Sequence, residues 1–385
     1  MSPRLWFAAS FLALAYTFVG YAVAMWLRAR LTPRAIDAAT IEPDVDVVLV
    51  VHDAAADLAA KLDNLRALDY PPERLRFHVA SDGSEDLTAT VLHDCDDARL
   101  HRYVFPTRRG KSACLGDVVP QLRAEVVVFV DVRQRLEPDA IRALLRPLAD
   151  PAVGAVSGEL MFERAEGGVA GGVDFYWRYE KRIRRAESES GSVVGVSGAL
   201  YAARRALLPP IPPGLILDDL WIPLRIARGG ARVVFAADAR AWDRPSRDAA
   251  LEAARKRRTL AGNFQLIARE PALLLPWTHP LGWRLWGHKW LRLLAPWLML
   301  ILFASNLVLA PTSPKWALLL LAQLAFYATA LAGIFRPALL RHLPVRIAAT
   351  FVRMNGYALL GLADFLRGRQ THLWTVTRPS DTVSP

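Results

Sequence analysis

Apolar positions along the chain follow two patterns. Toward both ends they run almost unbroken. Leu5 to Leu27 is apolar throughout and long enough to cross a bilayer as one helix. Leu293 to Ala310 and Trp316 to Phe335 are two further runs, joined by the turn "PTSPK" at 311–315. Ile347 to Leu366 carries Arg353 and Asn355 in its middle, where a lone charge is costly. It reads as a short fourth span with Arg353 facing protein, or as a helix lying in the interface. "PWTHPLGWRLWGHKWLRLL" (276–294) mixes tryptophan with basic residues, which suits an interfacial helix leading into the second span.

In the middle of the chain the pattern shortens and alternates. "VDVVLVV" (45–51) reads as a buried strand and "AAADLAAKLDNLRAL" (54–68) has helical spacing. "LRFHVAS" (75–81) and "LHRYVF" (100–105) are strands, and a helix follows Lys111. "EVVVFVDVRQRLEPDA" (125–140) is a buried strand that ends on Asp131, with Pro138 opening another helix. Strand–helix alternation predicts an α/β fold, a mainly parallel sheet with helices on both faces.

Composition and charge set the surroundings. The 385 residues are 53% hydrophobic with a net charge of +11, which points to a membrane protein with basic flanks. The basic residues cluster beside apolar stretches, so nucleic acid is not the expected partner. Arg28, Arg30 and Arg34 follow the first run. Arg284, His288, Lys289 and Arg292 precede the second, and Arg336, Arg341 and Arg346 follow the third. The positive-inside rule then places the N-terminus outside and the middle in the cytosol. Ala22-Val23-Ala24 resembles a cleavage site, but the run is long for a signal core and its basic flank is on the wrong side. Cys95 and Cys114 have no metal-type spacing, which fits a reducing compartment.

In parallel sheets ligands bind beyond the carboxyl ends of the strands. The residues there are His52 and Asp53, then Asp82, then Asp131. Aspartate also caps helices and fills turns, but three acids at three corresponding strand ends exceed that need. "RRGKSACLGD" (108–117) sets Lys111 near a helix start, where it can meet phosphate. Asp218 and Asp219 precede a helical stretch. The helix dipole favours acids there in any case, yet the pair also makes a rigidly placed base. Arg255 to Arg258 are four consecutive cations, a patch facing anionic lipid or a clamp on a diphosphate. The chain has no P-loop, no G-x-G-x-x-G and no G-x-S-x-G elbow.

With these residues in place, the chain resembles the membrane-bound family 2 glycosyltransferases, the class of cellulose, hyaluronan and poly-N-acetylglucosamine synthases. "KLDNLRALDYPPERLRFHVASDGSEDLT" (61–88) is similar to the family's nucleotide-binding stretch, with Asp82 as the acid that contacts the base. "RRGKSACL" is similar to its R-G-K-x-x-A-L element, and Asp131 sits where its D-x-D begins. "GAVSGEL" (154–160), "YWRYEKRIRR" (176–185) and "VSGALYAARR" (196–205) follow in family order. Asp218 and Asp219 match the acids of T-E-D, and "RKRRT" (255–259) falls where Q-x-x-R-W would be. The chain departs from the family at His52-Asp53-Ala54, at Arg133 in place of the second D-x-D acid, and at Thr259 in place of tryptophan.

The resemblance implies a GT-A type domain over residues 36–270. It would be tethered by a span in 1–35, an interfacial helix in 271–292 and a membrane region of two or three spans in 293–385. It implies an inverting hexosyltransferase in the cell membrane, its catalytic domain cytosolic. The donor would be a nucleotide sugar, with UDP the first expectation, and the acceptor a polysaccharide or membrane-associated molecule. Asp219 and Asp218 would be catalytic. His52, Asp53, Asp82, Lys111, Arg255 and Arg258 would bind the nucleotide sugar. Asp131 would hold a divalent metal, Mg or Mn. Arg133 would point away or pair with the diphosphate. The alternatives are a lipid acceptor giving a glycolipid, or a degenerate homologue that scaffolds an export complex.

Overall fold

The computed structural model describes residues 2–163, 171–244, 249–369 and 372–373. They form two compact units. One is built from residues 33–163, 187–244 and 372–373, the other from 2–32, 171–186 and 249–369.

The first of these units is an α/β domain around one eight-stranded sheet. Its strands are β1 (Val45–Val51), β2 (Leu75–Asp82), β3 (Leu100–Phe105), β4 (Val126–Val130), β5 (Arg135–Leu136), β6 (Val153–Phe162), β7 (Leu200–Arg204) and β8 (Arg232–Asp243). The order across the sheet is β3-β2-β1-β4-β7-β6-β8-β5. β1, β2, β3 and β4 run parallel, as do β6 and β8. β7 runs antiparallel between β4 and β6. All seven residues of β1 are buried, as a strand covered on both faces requires. On one face Val45, Val47, Leu49 and Val51 pack with Leu58, Leu62 and Leu65 of the helix Ala55–Arg66.

On the other face Asp46 pins the strands together at the end away from the site. It accepts from Arg76 Nε and from the backbone N–H groups of Arg123 and Ala124, all at 2.9 Å. Burial alone would raise its pKa, but His78, Arg76 and the two amides hold it well below the usual carboxylate range.

The second unit is helical. Among the described residues three helices are long and apolar enough to cross a membrane: Pro3–Leu31, Gly282–Thr312 and Pro314–Phe335. They contain the three unbroken apolar runs of the sequence. The tryptophan- and base-rich segment from Gly282 on forms the start of the second of them, through a π-turn at Trp286–Trp290. Glu180 explains how two of its basic residues are accommodated. This buried acid meets His288 Nε2 at 3.0 Å and also pairs with Arg292. Charges inside apolar surroundings are tolerated when paired in this way.

The run 347–366 lies within the helix Leu343–Leu366, which packs against Pro314–Phe335 and Ala249–Arg269. Asp364 there takes a forked pair from Arg257, Nε to Oδ2 at 2.9 Å and Nη2 to Oδ1 at 2.8 Å. This helix falls outside the three candidate spans.

Candidate active site

The carboxyl ends of β1, β2 and β4 gather the predicted residues into two adjoining groups. The first surrounds Asp82, which is fully buried. Its Oδ1 accepts from the Arg109 N–H and its Oδ2 from the Gly110 N–H, both at 2.7 Å. Its carbonyl oxygen lies 2.8 Å from His52 Nδ1. Asp82 therefore orders the loop that carries Lys111. Its charge, after burial, helps push the Cys114 thiol up to about 12.

Asp53 adopts a left-handed φ of 45°. Its N–H donates to Ser84 Oγ at 3.1 Å and its Oδ1 accepts from the Glu85 N–H at 2.8 Å. His52, Asp53 and Asp82 thus come together as one turn-against-turn group. Gly83 is required here. At φ 58° a β-carbon would lie 2.3 Å from the Arg108 nitrogen, a clash with backbone that no rotamer relieves.

The second group is acidic. Asp131 follows β4, and Asp218 and Asp219 open the helix Asp218–Arg228. Lys111, the first residue of the helix Lys111–Val118, lies between them. Its Nζ is 2.9 Å from Asp131 Oδ1 and 3.5 Å from Asp218 Oδ2. Burial by itself would lower its pKa, but Asp131, Asp218 and Asp219 together raise it above the ordinary lysine range. The lysine is therefore an ammonium at any physiological pH.

Asp131 and Asp219 both face Gly198, where a β-carbon would stand at ordinary contact distance, 3.5 Å from Asp219 Oδ2 and 3.9 Å from Asp131 Oδ2. Leu200 pairs in register with Val130, which sets the turn before β7 beside the end of β4. Beneath the acids, Tyr201 stacks on Phe129 with ring centroids 4.5 Å apart. Burial, then the charges of Asp218, Asp219 and Asp131, push its phenol well above the usual range. It stays protonated and adds no charge. Gly198 and Tyr201 both lie in the quoted "VSGALYAARR", but their spacing alone gives no sign of either contact.

Arg133 turns to a partner distant in sequence. Its Nη2 lies 2.8 Å from Asp243 Oδ1 and 2.5 Å from Oδ2, at the end of β8. Gln134 Nε2 also donates to Asp243 Oδ2, at 2.9 Å. The carboxylate absent at position 133 is thus matched by an acid on another strand, and that acid is bound to the arginine.

Arg255 and Arg258 lie on the helix Ala249–Arg269, in the helical unit. Of the same four cations, Lys256 pairs with Glu252 at 3.4 Å and Arg257 with Asp364.

Known proteins share the fold and parts of the sequence. A mannosyltransferase from Pyrobaculum calidifontis, solved with GDP-Man and Mn²⁺, has the same fold. Its TM-score is 0.70 at 24% identity, over 94% of this chain and 99% of that one. An N-acetylglucosaminyltransferase of Rhizobium sp. (strain N33) is 30% identical over 172 residues, 43% of this chain and 38% of that protein. A beta-monoglucosyldiacylglycerol synthase of Synechocystis sp. (strain ATCC 27184 / PCC 6803 / Kazusa) is 26% identical over 125 residues, 31% of this chain and 26% of its own length. The chain thus spans well under two thirds of these two curated relatives. Residues 43–262 match the family described as Glycosyltransferase like family 2. That stretch is more than half of the chain and contains both groups of site residues, so the chain belongs to this glycosyltransferase family.

Proposed function

We propose that the enzyme transfers a sugar from a nucleotide sugar, with UDP as the nucleotide, and inverts the anomeric carbon. The acceptor is a growing polysaccharide or another membrane-associated molecule. One observation carries this reading: Asp131 and Asp218 both close on Lys111 beside the carboxyl ends of the strands, with Asp219 and Asp131 both facing Gly198.

In this reading His52, Asp53 and Asp82 form the nucleotide end of the site. Lys111 meets the diphosphate. Asp219 takes the proton from the acceptor hydroxyl as the sugar bond breaks. Asp218, held by Lys111, keeps the start of its helix in place.

The chemistry of the donor set fits a divalent cation, Mg²⁺ or Mn²⁺. The oxygens are hard carboxylate ligands, and three acids outnumber the lysine between them. Among the described residues no group of three or more His, Cys, Asp or Glu could hold an ion by itself. Asp131 would then supply the protein oxygen, with phosphate and water completing the set. Such an ion, when bound, neutralises charge developing on the diphosphate.

The N-acetylglucosaminyltransferase relatives favour UDP-N-acetylglucosamine as the first donor to try. The glucosyldiacylglycerol synthase relative supports a second reading, with a diacylglycerol-type lipid as acceptor. The test incubates membranes carrying the enzyme with labelled UDP-N-acetylglucosamine, UDP-glucose and GDP-mannose in turn. Label is expected in polymer with a UDP-sugar donor. Label in the lipid extract selects the second reading. No transfer and no nucleotide release from any donor would reject both, and would favour a scaffold.

The arginines that follow Leu5–Leu27 and Phe335 support a cytosolic site, where nucleotide sugars are made. A reporter fused after Arg34 is expected to report the cytosol, and an external signal would overturn that topology.

A further inference from the structure

The helix Ala55–Arg66 turns Leu58, Lys61, Leu62 and Leu65 to the interior. That spacing is the core stripe of an amphipathic helix, and one of its places is taken by a lysine. Lys61 is 2% exposed. Its Nζ donates to the carbonyl oxygen of Gln134 at 2.6 Å. Burial pulls the ammonium down to about 7, while the charge of Asp131 works to keep it protonated.

The same helix grips the chain just beyond. Asn64 Nδ2 donates to the Leu136 carbonyl at 2.9 Å, and the Leu136 N–H donates to Asn64 Oδ1 at 2.8 Å. Gln134 in turn reaches Asp243. The segment that leaves Asp131 is therefore fastened from two sides. Burying an ammonium on one carbonyl is costly, and an apolar residue of similar size is often the more stable choice. A sequence that breaks its own apolar pattern at such a cost is expected to do so for function.

We infer that Lys61 is a positioning residue for Asp131. Its hydrogen bond to the Gln134 carbonyl fixes the chain that leaves Asp131. Lys61 touches neither donor nor acceptor. It acts by holding the metal-binding and diphosphate-binding end of the site in one place. The inference rests on the glycosyl-transfer reading above.

The experiment uses the full chain in detergent, with Lys61→Met and Lys61→Gln beside the parent. It measures Tm, turnover with the donor found for the parent, and the Mn²⁺ concentration giving half-maximal turnover. Tm is expected to hold or rise in Lys61→Met, because the buried charge is gone. Turnover is expected to fall on the order of 10- to 100-fold, as for a misplaced reacting group. The Mn²⁺ requirement is expected to shift as well. Lys61→Gln also loses the charge, so the same direction is expected, and it serves if the Met variant does not fold.

A structural lysine would behave differently, with Tm and activity falling together. Parent-like turnover and Mn²⁺ dependence in a folded variant would overturn the inference, and so would a lowered Tm that accounts for the loss. If the parent itself transfers no sugar, the glycosyl-transfer reading fails instead. The Tm arm still reads Lys61 then: a drop in Lys61→Met assigns the lysine to the fold alone.

Discussion

Asp219→Asn is expected to lower turnover on the order of 10²–10⁴-fold, the usual contribution of a general base, while nucleotide-sugar affinity stays close to the parent's. The expectation follows from position. Asp219 stands at the start of the helix Asp218–Arg228, and its Oδ2 faces the space beside Gly198 together with Asp131 Oδ2. Asparagine keeps the volume and still accepts hydrogen bonds at a helix start, so the fold should survive. The capacity to take a proton is removed together with the carboxylate's charge.

The neighbouring acid supplies the control. Asp218 is buried and lies 3.5 Å from Lys111 Nζ. Asp218→Asn weakens that pair without removing the base, so a smaller loss of turnover is expected. Turnover and donor affinity measured for both variants in detergent decide the matter. A normal Asp219→Asn with a dead Asp218→Asn would exchange their roles. Two active variants would make the pair a helix cap, and the base would have to be sought elsewhere.

What the sequence makes legible here follows from geometry that sequence directly encodes. A buried parallel strand must end somewhere, and its last polar residues must lie at the carboxyl edge. For that reason Asp82 and Asp131 could be placed from "LRFHVASD" and "VVVFVD" alone. The three apolar runs are legible for a similar reason, because bilayer thickness fixes their length.

The partners of these residues are not legible, because they come from far along the chain. Arg133 stands where the family has an acid, and no local pattern reveals that Asp243, on β8, will bind it. Lys61 passes as one more residue of a helical period until the structure shows it on the buried side of that helix. Asp82 is found at the expected strand end, but both of its oxygens hold backbone amides. Its partners could not be read from residue type. The basic segment after Gly282 looks interfacial in sequence because its counter-charge, Glu180, lies more than a hundred residues earlier.

Asp131→Ala is the second variant with a large expected effect. Its Oδ1 meets Lys111 Nζ at 2.9 Å, while its Oδ2 faces Gly198. Removing this carboxylate takes away the proposed protein ligand for Mg²⁺ or Mn²⁺ and leaves Lys111 with Asp218 alone among its close acids. Loss of one group that stabilises developing charge typically costs on the order of 10²–10³-fold, and transfer should fall by at least that much. Turnover measured across a Mn²⁺ titration reads the cause, since a lost ligand shifts the metal dependence and does not merely scale the rate. If Asp131→Ala titrates with Mn²⁺ like the parent, Asp131 is not a ligand.

Arg133→Ala separates this role from that of the residue two places on. Arg133 is bound to Asp243, a buried acid whose other side-chain partner is Gln134. Its removal should lower stability by about 1–3 kcal/mol, the cost of stripping a buried charged group of one partner, and leave turnover near the parent's. A large loss of turnover in Arg133→Ala at unchanged Tm would instead place the arginine on the diphosphate.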